Sequence, residues 1–198
     1  FAEAPPVGDL GLQDPDADEG ANVEAFLAHV TKVVKVPLVI DTTDPAVMER
    51  ALRWCPGKSL LNSVNLEDGR ERLDRVVPLA RRYGAALVVG LIDEDRAQGM
   101  AVTLERKMAI ARRAHALLVG EYGVAEEDLV WDALTFPCGT GDATYRGSAR
   151  ATIEGVRALK AAFPRTKTVL GISNVSFGLP EGGREVLNSV FLYHAVLA

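Results

Sequence analysis

Five short polar side chains stand where apolar runs stop: Asp41 after Val39-Ile40, Asn62 after Leu60-Leu61, Asp93 after Leu91-Ile92, Asp132 after Val130-Trp131, and Asn174 after Ile172-Ser173. Aspartate offers acceptors and asparagine offers an acceptor and an amide donor, while no cationic residue accompanies them there to hold a phosphate bidentately. Such a set suits a neutral heterocycle with a donor-rich edge, because a carboxylate can accept parallel hydrogen bonds from an N–H and an adjacent amino group. For Asp93, and for Asp44 ahead of Pro45, turn and helix capping is the simpler account. At Asp41, Asn62, Asp132 and Asn174 the polar residue falls on the strand end itself, with loop residues still to come before the helix.

The elements that must position these groups repeat as strand, polar loop and helix. Val36–Ile40 predicts a strand ending at Asp41, and Asp44-Pro45 starts a helix with an N-cap and a first-turn proline. Ser59–Leu61 predicts a strand ending at Asn62, followed by a helix from about 70 to 82 closed by Gly84. Strand 85–91 leads to Asp93 and a helix over 103–121; Leu129–Trp131 leads to Asp132 and a helix over 148–163. Strand 168–172 leads to Ser173-Asn174 and a last helix over 184–196. Ahead of them, Val23, Phe26, Leu27, Val30 and Val33 or Val34 mark one face of a helix, and residues 1–20, rich in proline, glycine and acid, read as irregular. The chain thus divides into an irregular segment 1–20 and a domain 21–198.

Apolar strands joined by helices specify a parallel sheet, and the class is α/β. An open doubly wound sheet would carry a glycine-rich turn after its first strand, whereas Gly139-Thr140-Gly141 lacks the third glycine and lies on a long loop. Polar residues at the ends of successive strands fit a (β/α)8 barrel, in which those ends line one mouth. Only strands three to seven of such a barrel are recognisable, so the barrel is incomplete and the intact protein is expected to extend beyond both ends.

Composition narrows the partners. The chain has 198 residues, 48% hydrophobic and 25% charged, with a net charge of −5, which argues against a nucleic-acid phosphate binder. No apolar run approaches the ~18 residues of a membrane span, and nothing reads as a secretory signal, so a cytoplasmic location is expected. Two cysteines, Cys55 and Cys138, and three scattered histidines do not assemble a zinc site. Cys138 lacks a histidine partner and is a weak nucleophile candidate; Trp54 and Trp131 read as core, and His194 as a packed histidine on the last helix.

Longer motifs carry a resemblance. Asn62-Ser63-Val64-Asn65-Leu66-Glu67-Asp68-Gly69, Asp132-Ala133-Leu134-Thr135-Phe136-Pro137 and Ile172-Ser173-Asn174-Val175-Ser176-Phe177-Gly178-Leu179-Pro180 look like the folate, or pterin-binding, domain of cobalamin-dependent methionine synthases. Val36 to Pro45 and Arg184 to Leu192 match as well, so the resemblance covers roughly residues 35–198. It implies a pterin-binding TIM-type barrel that holds 5-methyltetrahydrofolate and gives its N5 methyl group to cob(I)alamin carried on a separate module, in the synthesis of methionine from homocysteine. Carried over residue by residue, Asp41, Asn62 and Asp132 bind the pterin ring and Asn174 hydrogen-bonds N5, as the catalytic residue. Ser173 is a candidate pterin contact, and Arg184 a candidate partner for the ligand's glutamyl carboxylate. Cobalamin and the zinc that holds homocysteine belong to other modules: the histidine motif for cobalt and the cysteine cluster for zinc are absent from this sequence. The family's first two strands are not clear either, although Asp9-Leu10-Gly11-Leu12 reads as a remnant of the second. Two other readings remain: a methyltransferase that serves a corrinoid iron–sulfur protein, and a non-catalytic pterin-binding fragment. Dihydropteroate synthase shares the pocket but needs basic residues for a pyrophosphate leaving group, which the matching strand ends lack.

Overall fold

The computed structural model describes the backbone of residues 8–10 and all of residues 18–198. The chain divides into two compact units, one of residues 1–64 and 70–89 and the other of residues 65–69 and 90–198. Six strands hydrogen-bond in their sequence order, β1 to β6, and the chain passes from the first unit to the second within β4. A doubly wound sheet reverses its strand order at a switch point; sequential order with intervening helices is the arrangement of a (β/α) barrel wall.

In the first unit, β1 (Gly8–Leu10) pairs in parallel with β2 (Leu38–Asp41), and β2 with β3 (Leu60–Leu66). β1 and the first residues of α1 (Glu19–Val33) lie inside the stretch expected to be irregular; its remaining residues, 1–7 and 11–17, are outside the described residues. The Asp9–Leu12 remnant falls partly on β1. The buried stripe of α1 is Gly20, Val23 and Leu27, while Phe26 and Val33 face solvent, a shift of the expected face. Arg50 explains it: the guanidinium lies against Gly20, where a Cβ would come within 2.0 Å of it, and bonds Glu24 at 2.7 Å. Asp44 caps α2 (Pro45–Leu52) as expected, accepting from the Ala46 N–H at 2.7 Å. α3 (Glu71–Tyr83) ends at Gly84, whose φ of 66° is the left-handed C-cap that glycine adopts without strain. β4 (Ala86–Asp93) is buried almost throughout, as a strand covered on both faces must be.

In the second unit, α4 (Leu104–His115) is capped by Thr103 and loosens into a π-helical turn over Ala116–Glu121, so the single helix expected over 103–121 has two parts. β5 (Leu129–Asp132) pairs in parallel with β6 (Lys167–Val169), and α5 (Ser148–Ala162) joins them. Trp131 is fully buried against Phe163 at 5.5 Å, and His115 stacks on the same ring at 4.5 Å. α6 (Glu181–Val196) closes the chain.

Several expectations need correction. β3 runs through Asn62 to Leu66, because Val64 and Leu66 are buried and carry the ladder past the polar residues. β6 stops at Val169 rather than near 172; Ser173 and Asn174 lie in a 3-10 turn, Ile172–Ser176, not on the strand. Local bonds hold that turn: Asn174 N–H to the Gly171 carbonyl, Phe177 N–H to the Asn174 carbonyl, and the Ser176 hydroxyl to the Ser173 carbonyl at 3.1 Å. Serine and asparagine offer the backbone this alternative to a sheet ladder. Trp54 is 42% exposed rather than core, and His194 is exposed on α6 rather than packed.

Candidate substrate-binding site

In the first unit, Asp41 and Asn62 are register partners at the end of β2 and in β3, both half-buried. Side chains at partnered positions of neighbouring strands lie on the same face of a sheet, so a carboxylate and an amide are presented together. The backbone around them is held by Arg72 of α3. Its Nε donates to the Ser63 carbonyl at 2.7 Å, and its Nη atoms donate to the Thr43 carbonyl at 2.8 Å and the Thr42 carbonyl at 3.4 Å. One guanidinium therefore ties the exit of β2 to β3, and its fixed fork suits that geometry.

In the second unit, Asp132 ends β5. Its Oδ1 accepts from the Leu134 N–H at 2.9 Å, and Leu134 takes the left-handed conformation with φ 59°. Burial pushes the Asp132 carboxyl above the usual carboxylate range; the Leu134 N–H and the charge of Lys107 oppose that rise. Lys107, in the first turns of α4, is 0% exposed, and its Nζ donates to the carbonyls of Ala133 at 2.5 Å, Ala101 at 2.7 Å and Leu134 at 3.3 Å. Desolvation lowers its pKa to about 8, partly offset by Asp132. The Thr152 hydroxyl of α5 also donates to Leu134, at 2.8 Å, and Gly155 leaves room for the lysine stem, since a Cβ there would sit 2.9 Å from Lys107 Cδ. Four hydrogen bonds thus fix the loop that carries Asp132.

The remaining predicted residues also lie in the second unit. Ser173 and Asn174 are exposed on the 3-10 turn after β6, and the Asn174 amide makes no hydrogen bond with another described residue. Arg184, in the first turn of α6, donates from Nε to the Ser176 hydroxyl at 3.3 Å, so it braces that turn from the helix. Asp93 does more than cap: besides accepting from Asp95 N–H, it pairs with Arg106 at 2.6 Å. A cavity of about 500 Å³ lies beside the loops after β4 and β5, walled by Phe136 and Tyr145, whose rings stack at 5.3 Å.

Among the described residues no group of three or more His, Cys, Asp or Glu side chains could hold a metal ion, and no helix is long and apolar enough to cross a membrane. His29 bonds its own helix at the Ala25 carbonyl and His115 bonds Glu126 at 3.1 Å, so these two rings are already committed.

Sequence reading missed Arg72 and Lys107. A signal for Lys107 was present: a lysine at the head of the apolar stripe Lys107, Ile110, Ala111, Ala114 and Leu118 is out of place on a solvated face. Nothing in the sequence distinguished Arg72 from an ordinary first-turn helix residue.

A family model described as "Pterin binding enzyme" matches residues 13–198, and the chain belongs to that family. It is 37% identical over 188 residues to the methionine synthase of Mycobacterium tuberculosis (strain ATCC 25618 / H37Rv), and 37% identical over 176 residues to that of Mycobacterium leprae (strain TN). These matches cover 93% and 87% of this chain but only 16% and 14% of the two relatives. The resemblance to the folate-binding domain of methionine synthases is thereby borne out. Among solved structures, a Yersinia pestis DHPS with a pterine-sulfa conjugate superposes with a TM-score of 0.63 at 14% identity, over 96% of this chain and 73% of that one. A dihydropteroate synthase from Thermus thermophilus in complex with 4-aminobenzoate gives a TM-score of 0.56 at 23% identity, over 96% and 74%. At such identities the likeness speaks to fold alone: an incomplete TIM-type barrel of the pterin-binding kind.

Proposed function

We propose that this chain binds 5-methyltetrahydrofolate by its pterin ring and transfers the N5 methyl group to cob(I)alamin carried by a separate module, as part of methionine synthesis from homocysteine. The observation that carries this reading is Asp132, a half-buried carboxylate at a strand end whose loop is tied down by Lys107, Thr152 and its own bond to Leu134, in a chain 37% identical to methionine synthases. Asp41 and Asn62 complete the pterin-binding set, with Asp132 accepting from the ring's N–H and amino groups. Ser173 and Arg184 stand by the 3-10 turn as further contacts, Arg184 toward the glutamyl carboxylate.

Asn174 is assigned to N5. A tertiary amine leaves poorly until a proton or a strengthening hydrogen bond offsets the negative charge that develops on it. A neutral amide serves both protonation states by rotating, donating to N5 or accepting from N5–H, and the Asn174 amide is not engaged by a described neighbour. Cobalamin supplies the nucleophile that accepts the methyl group, and a homocysteine module with its zinc consumes the methylated product; both act as partners. No membrane or nucleic-acid partner enters this reading, and the chain works in the cytoplasm.

Titration with 5-methyltetrahydrofolate followed by addition of free cob(I)alamin tests this. Binding with methyl transfer supports the enzyme. Binding without transfer favours a non-catalytic pterin-binding fragment, and no binding overturns both. Preferential transfer to a corrinoid iron–sulfur protein would move the chain to the neighbouring methyltransferase class.

A further inference from the structure

Lys107 is the one fully buried ammonium among the described residues, and the methyl-transfer chemistry above makes no use of it. A charged side chain in such a place is costly unless each of its protons is bonded and a counter-charge is near. Here three carbonyls take its three donors, two of them belonging to Ala133 and Leu134, the residues that directly follow Asp132. We propose that Lys107 is a positioning residue for pterin recognition: its ammonium fixes the β5 exit so that the Asp132 carboxylate is held in place and in its ionised form. This rests on the folate-binding reading of the same site.

Three observations converge on this role. The first is geometric: Ala101 lies in the loop after β4, and Lys107 ties it to the loop after β5, so one side chain sets the spacing of two exits within the second unit. The second is steric: α5 offers Gly155 where any larger residue would press on the lysine stem, and Thr152 where a hydroxyl reinforces the Leu134 carbonyl. The third is electrostatic: Asp132 is the charged group that acts on Lys107, while the other faces around the ammonium are the Phe136 ring at 5.2 Å, backbone carbonyls and the uncharged Thr152 and Gly155. A pterin donating to Asp132 needs the ionised carboxylate, and burial alone would favour the protonated form.

The test compares folate binding across pH 5 to 9 in the wild type, Lys107→Met and Thr152→Val, with the fold verified by circular dichroism. In Lys107→Met the affinity is expected to fall about tenfold at pH 7 and the acid limb of binding to move up by about one pH unit. Thr152→Val, which loosens the same loop without removing charge, is expected to leave the limb in place. A folded Lys107→Met with an unmoved limb overturns the proposal while leaving the folate reading intact. Failure of the wild type to bind overturns that reading, and the proposal with it. Should Lys107→Met not fold, carbon-13 NMR of the wild-type Asp132 carboxyl decides: a second step at the alkaline pH where Lys107 loses its proton is expected, and a carboxyl signal that stays flat while Lys107 titrates overturns the proposal.

Discussion

Arg72 in one unit and Lys107 in the other occupy matching places in their strand–helix repeats, in the first turns of the helix that follows a strand, and each collects three backbone carbonyls near a predicted pterin-binding carboxylate. Their settings differ. Arg72 is half-buried and its guanidinium does not lose its proton under ordinary conditions, so water can replace it and pH does not touch it. Lys107 is sealed from water, its pKa is lowered to about 8, and it faces Asp132. The same architectural task is thus done once by a pH-blind tie and once by a titratable one. Asp41 and Asn62 sit near the first, Asp132 near the second.

That contrast sets the order of expected effects. Lys107→Met should be the most destabilising, by about 3 kcal/mol, since it strands the Ala101 and Ala133 carbonyls in a dry interior, where each unmade bond costs ~1–3 kcal/mol. Denaturant titration against wild type measures it, and a loss under 1 kcal/mol would mean that water enters the lysine's place. Arg72→Met should cost less, about 1–2 kcal/mol, because solvent reaches the freed carbonyls; an equal or larger loss would erase the distinction between the two ties. Thr152→Val should cost about 1 kcal/mol, the Leu134 carbonyl keeping the long bond to Lys107. At the foot of the scale, Asp44→Ala, a cap in the first unit, should cost about 1 kcal/mol or less.

The pH dependence sharpens the contrast further. Lys107 has a folded pKa of about 8 against an ordinary 10.5, so between these values the unfolded chain binds more protons and stability rises with pH through that window. Asp132 has a raised folded pKa, so the folded state holds the proton more tightly; stability falls as pH climbs from 3.8 through that higher value. Replacing Arg72 leaves both slopes unchanged, whereas Lys107→Met removes the alkaline rise and deepens the acidic fall. Thermal melts over pH 4 to 11 separate the two variants on this point.

Much of the frame was legible from sequence because it rests on local chemistry. Asp44 before Pro45, Gly84 after α3 and the β-branched run at β2 each announce themselves, and β5 ends at Asp132 as expected. The misreadings arise where tertiary packing or short-range hydrogen bonds prevail over pattern. β3 continues past Asn62 because buried Val64 and Leu66 outweigh the polar residues between them. Ser173 and Asn174 leave the sheet because their backbones are satisfied within a 3-10 turn. Arg72 and Lys107 stayed hidden because long cationic side chains on amphipathic helices usually face water. Most of their partners are carbonyls more than twenty residues away along the chain, which no local pattern encodes.

The proposed folate chemistry turns on Asp132 as the ionised acceptor for the pterin ring. Equilibrium titration of 5-methyltetrahydrofolate into the wild type and Asp132→Asn at pH 7 tests it most directly. The expected result is one folate bound per chain, with affinity reduced about 10- to 100-fold in Asp132→Asn, the loss of charge-assisted hydrogen bonds worth ~1.5–3 kcal/mol; equal affinities in the two proteins would contradict it.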